Sequence, residues 1–218
     1  MEEKELQNEL ASIRSIMERS SKFISLSGLS GILAGIYALI GAFLAYKLVY
    51  SGLPSPYNPY VQASSSDNTA GVSYGYVSNF PLEIVFIGIL VLVASIVTAV
   101  ILSKRQAKRK GQPFWGKTSQ ALFFHMATPL ITGGILVTML LYQDTVAYVV
   151  PTMLIFYGLS LVSASNFTFS DVKYLGLLEI ILGLIAACLP GYGLLFWAIG
   201  FGVLHIIYGG MMYLKYDK

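Results

Sequence analysis

The chain has 218 residues, 56% of them hydrophobic and only 11% charged, with a formal net charge of +3 and a mean hydropathy of +0.68. Soluble domains carry about 25% charged residues, so this composition excludes a water-covered globule. It predicts an all-α, polytopic membrane protein. The single cysteine, Cys188, excludes an intrachain disulfide and a multi-cysteine metal site.

Residues 1–22 hold five Glu among four basic residues and no apolar core, which is not the pattern of a secretory signal. Leu6, Leu10, Ile13 and Met17 follow at spacings of four, three and four, one face of a helix. The expectation is a cytoplasmic amphipathic helix resting on the membrane surface. A helix that docks a protein partner is the competing expectation.

The remainder, 23–218, reads as one six-helix transmembrane domain, with apolar segments at about 23–49, 81–103, 118–142, 145–164, 172–189 and 192–214. In the first, Ser27, Gly31, Gly35, Ala38, Ala42 and Ala45 form a seam of small residues, suited to tight packing within the bundle or between copies in a homo-oligomer. The 50–80 segment, rich in Ser, Tyr, Pro and Gly, reads as an irregular extracytoplasmic loop. Glu83 opens the second span as a first-turn acid. Pro129 and Pro151 fall inside the third and fourth spans, where membrane helices tolerate proline and kink.

Charge sets the direction. Lys4, Arg14, Arg19 and Lys22 precede the first span, and "KRQAKRKGQPFWGK" follows the second with Lys104, Arg105, Lys108, Arg109, Lys110 and Lys117. Lys173 precedes the fifth span, and Lys215 and Lys218 follow the sixth. Six crossings put all of these on one side and leave Lys47 alone on the other. The positive-inside rule then predicts cytoplasmic N- and C-termini. The basic loop fits anionic lipid headgroups of the bilayer, and no nucleic-acid partner is expected.

Three ionisable residues interrupt the spans. His205 lies between Gly202 and Gly209, and Glu179 between Gly176 and Gly183, each pair on the residue's own helical face. His125 shares a stripe with Ala121, Thr128 and Thr132. Small residues let membrane helices approach closely, so such faces point at other helices rather than at lipid. Counted from the nearest basic residue, Glu179, His125 and His205 lie roughly 9, 12 and 15 Å deep, with Tyr157 and Ser160 at similar depth. Unpaired charge there costs on the order of 3 kcal/mol or more. The expectation is an inner-leaflet polar cluster of His125, Glu179 and His205, with Tyr157, Ser160 and Thr128 near it, that binds or moves a small solute or protons. Glu179 would titrate, with the histidines as partners. The competing expectation is a non-transporting accessory or sensory protein acting through its N-terminal helix, the cluster being structural.

No catalytic residue, metal or cofactor is expected. Ser30 in "GLSG" and a late histidine resemble pieces of rhomboid-type intramembrane proteases, but that family carries its serine on the fourth core span and opens outward. Two intramembrane histidines are compatible with haem ligation, and nothing else in the chain supports it.

The strings "MERSSKFISLSGLSGILAGIYAL" and "GYGLLFWAIGFGVLHIIYGGMMYLKY" resemble members of an uncharacterised family of small six-span bacterial inner-membrane proteins. The resemblance implies a multi-pass protein of the bacterial inner membrane. It implies no activity and no functional residue.

Overall fold

The computed structural model describes residues 27–50, 82–111 and 113–217. The expected helix over 1–22 lies outside the described residues, as does the expected 50–80 loop except for Tyr50. Six helices follow one another: α1 Gly28–Tyr50, α2 Leu82–Arg109, α3 Lys117–Tyr142, α4 Val149–Ala164 behind a 3-10 turn at Val146–Tyr148, α5 Val172–Cys188, and α6 Gly193–Asp217. There is no strand among the described residues. Five segments are long and apolar enough to cross a membrane: α1, α2, α3, α4 with its 3-10 turn, and α6. With 17 residues, α5 is about 25 Å long, slightly less than a hydrocarbon core of about 30 Å. Length and composition of these helices suit an integral membrane protein.

Local chemistry sets the helix ends. Gly111, at φ +63°, closes α2 in the left-handed conformation that glycine adopts without strain. Asp144 takes a similar φ of +54° after α3, where the Thr145 N–H donates to Leu140 O at 2.9 Å. Asp is one of the few other residues that enter this region readily. Pro151 is the third residue of α4, where the missing N–H would have had no intrahelical acceptor. Its cost is therefore small, and Pro129 is the proline inside a helix proper.

Two glycine seams hold the bundle. On α4 and α5, Gly158 and Gly176 face each other so closely that a Cβ on Gly176 would lie 2.7 Å from Gly158 O and 2.9 Å from the Val162 N. Further along, Gly183 meets Pro151 O and Ile155, so the two helices run antiparallel. On α1 and α6, Gly28 and Gly31 meet Gly209, while Gly35 meets Gly202 O and Ile206, again antiparallel. Gly31, Gly35, Gly176, Gly183, Gly202 and Gly209 all stand at helix crossings inside the bundle. Outside these seams, α2 packs on α1 and α3 on α4. Both outer helices expose large apolar side chains along their length, among them Phe86, Leu92, Phe124 and Ile131. Such surface belongs in lipid.

Gly176→Leu is expected to lower the thermal midpoint in detergent micelles, by the roughly 1–3 kcal/mol typical of overpacking. A Cβ on Gly134 meets no atom within 4 Å, so Gly134→Leu is expected to melt like the wild type.

Candidate functional site

α6 changes its winding where the site lies. Ala198–Leu204 is π-helical, between an α-helical turn at Gly193–Trp197 and a second α-helical stretch at His205–Met212. Wide π turns interrupt α-helices often at functional sites. Here the wide turn carries the Gly200 carbonyl to the His205 ring, with Nδ1 at 2.9 Å. A carbonyl only accepts, so Nδ1 bears the proton. In the neutral ring Nε2 is then an acceptor, and it receives the Tyr157 hydroxyl from α4 at 2.6 Å.

Glu179, on α5, completes the group. It is 0% exposed, and its Oε1 lies 3.5 Å from His205 Nδ1. That nitrogen already donates to Gly200, and neither carboxylate oxygen has a hydrogen-bond partner among the described residues. Gly200 makes the room for the carboxyl: a Cβ there would meet Leu154 Cδ2 at 2.5 Å and Glu179 Oε2 at 2.7 Å. Leu154 and Leu182 wall the same space. A buried carboxylate without partners is among the costliest states in a protein interior. Its charge requires a proton or a cation. The surface grooves, one by Ile135, Met139 and Tyr142 and one between α1 and α2, are lined by none of these residues.

The structure brings Glu179, His205 and Tyr157 together and leaves out the other three expected members. His125 is exposed and stacks on Phe167, with ring centroids 4.7 Å apart. Thr128 is also exposed and donates to Phe124 O at 2.9 Å. The reason is that α3 meets α4 through Gly133, which admits the Phe156 side chain, and this turns the His125 stripe outward. Threonines satisfied by their own helix need no partner across the bundle. Ser160 is 0% exposed but serves the α3–α4 contact, donating to Met126 O at 2.9 Å. No group of His, Cys, Asp and Glu suited to a metal occurs among the described residues.

A second polar cluster, absent from the expectations, lies where α6 ends. Asp217 accepts from the Ser27 hydroxyl at 3.0 Å, the Gly28 N–H at 2.8 Å and Gln106 Nε2 at 3.0 Å. It thus places an acid on the first turn of α1, where the helix dipole favours one, and ties α2 to the same point. Asp171, just before α5, accepts from Lys215 Nζ at 2.7 Å and the Tyr216 hydroxyl at 3.0 Å. The Lys215 hydrogen bond, aided by that of Tyr216, holds the Asp171 carboxyl below its ordinary range. Acids adjoining helix ends were the available signal for this clasp, but nothing in the spacing pairs Asp217 with residues near 27.

Comparison with protein-family models, curated proteins and solved structures finds no match for this chain.

A carboxyl held low in the fold contributes stability above its unfolded value of about 3.9, and this is lost as pH falls through the folded value. Asp171→Asn is therefore expected to melt earlier than the wild type at pH 7, and the gap is expected to close below about pH 4. Thermal melts across that range check it. Asp217→Ala is expected to lower the midpoint as well, because three donors lose their acceptor.

Proposed function

We propose that the chain is a six-span protein of the bacterial inner membrane that binds a proton at Glu179 and couples it to movement of protons or a small solute, with both termini cytoplasmic. The observation that carries this reading is the Glu179 carboxyl, 0% exposed, without a hydrogen-bond partner among the described residues and 3.5 Å from a histidine nitrogen. A packing element would be expected to satisfy its oxygens. A site that takes up and releases a proton has reason not to.

Helix direction supports the topology. The start of α1 and the end of α2 meet the end of α6 at Asp217, and the start of α5 meets it at Asp171. Lys110 lies over Phe169 and Lys104 over Phe114, so the basic loop belongs to this end too. Alternating direction with the basic residues gathered at one end is the arrangement that six crossings with a cytoplasmic basic face require. From Asp171, Glu179 is eight residues into α5, about 12 Å along the helix.

The test is flux in proteoliposomes under an imposed pH gradient, read with an internal pH dye. Wild type is expected to dissipate the gradient, and Glu179→Gln to do so at least about a hundredfold more slowly, the lower end of the scale for removing a proton-transferring group, with its thermal midpoint retained. Wild-type flux no faster than empty liposomes, or full flux in Glu179→Gln, would overturn the proposal and leave the cluster as packing.

A further inference from the structure

Below His205, α6 presents Tyr208, Met212 and Tyr216 at spacings of three, four and four, continuing one face toward the basic end. These side chains pack with Tyr157 of α4 around a common apolar cluster of Leu161, Val172 and Leu175. Tyr208 stands between Tyr157 and Tyr216 in that all three pack against this one cluster. The row covers about 16 Å of helix rise. It ends at the hydrogen bond from the Tyr216 hydroxyl to Asp171, whose carboxyl is 29% exposed.

Satisfaction along this row is uneven in an informative way. Among the described residues, the buried side-chain oxygens without a hydrogen-bond partner are Glu179 Oε1, Glu179 Oε2 and Tyr208 Oη. Tyr208 Oη belongs to this row, and the Glu179 oxygens lie beside His205 at its head. Between them stand Tyr157 and His205, already joined at 2.6 Å. Hydroxyl and imidazole groups each accept one proton while giving up another.

We propose that Tyr208, Tyr157 and His205 form a one-sided proton path joining Glu179 to Asp171 at the basic end of the bundle. The inference rests on the reading of Glu179 as a proton-binding group. A proton from water enters by way of Asp171 and Tyr216 and reaches Tyr208 Oη, which has no hydrogen-bond partner of its own among the described residues, through a bridging water. A second bridging water carries the Tyr208 proton on to Tyr157 Oη. Tyr157 gives its hydroxyl proton to His205 Nε2, and the proton on His205 Nδ1 moves to Glu179 Oε1. Only O–H and N–H bonds form and break, so no oxidant or reductant is involved. Among the described residues, the titratable groups facing the row include Tyr157 from α4, Glu179 from α5, Asp171 just before α5, and Lys215 from the end of α6 itself, with Lys110 after α2 lying over Phe169 of the same cluster.

The experiment is a pH jump on the full chain in lipid nanodiscs, following the infrared band of the protonated Glu179 carboxyl, assigned by its loss in Glu179→Gln. Tyr208→Phe keeps the ring and removes the hydroxyl. It is expected to leave the amplitude unchanged and slow protonation by at least about tenfold. Tyr157→Phe is expected to slow it likewise, and its rate carries the test should Tyr208→Phe fail to fold. Wild-type rates in the folded variants would overturn the path while leaving proton binding at Glu179 standing. Loss of amplitude in a folded Tyr208→Phe would overturn it too, by giving Tyr208 a structural role. A wild type without the carboxyl band would remove both readings.

Discussion

Helix association in a bilayer draws no driving force from apolar burial, because lipid is as apolar as leucine; it depends on how closely backbones can approach. Gly158 against Gly176 is one place where this chain meets that constraint, and the Gly28, Gly31 and Gly35 seam against Gly202 and Gly209 is its counterpart. The grouping of Glu179, His205 and Tyr157 follows from these two approaches. The first brings Glu179 on α5 beside Tyr157 on α4, and the second fixes the position of α6, so that His205 arrives between them.

The π turn at Ala198–Leu204 refines that placement. A regular α-helix would direct the Gly200 carbonyl along the helix to the backbone four residues on. In the wide turn it reaches the imidazole, which fixes the tautomer and leaves Nε2 to the tyrosine. Gly200 acts twice, through its carbonyl toward His205 and through its missing side chain toward Glu179.

The helical architecture was legible in the residues because long apolar segments report themselves. The helices begin and end within a few residues of the expected segments, apart from the later start of α1 at Gly28 and the extensions of α2 to Arg109 and α6 to Asp217. Glu179 and His205 were legible for a different reason, since glycines one turn away mark a face that meets a helix. His125 carried no such glycine, and its threonine neighbours were satisfied within their own helix. Gly133, seated against Phe156, was the residue that marked the packed face of α3. The Asp217 and Asp171 contacts were not legible, because helical periodicity carries no information about which helix ends meet. The π turn was equally hidden, as "AIGFGVL" differs from an α-helical run in no residue that periodicity registers.

Asp217 and Ser27 are 190 positions apart. During synthesis α1 enters the membrane long before α6 exists, with Gly28, Gly31 and Gly35 leaving backbone uncovered on one face. That face has to wait through the insertion of four further helices, while the α4–α5 pair closes soon after it is made. Assembly of this protein therefore has a natural order, with the α4–α5 hairpin early and the first helix captured last. The interval before capture is when another membrane helix with a glycine face would compete for α1.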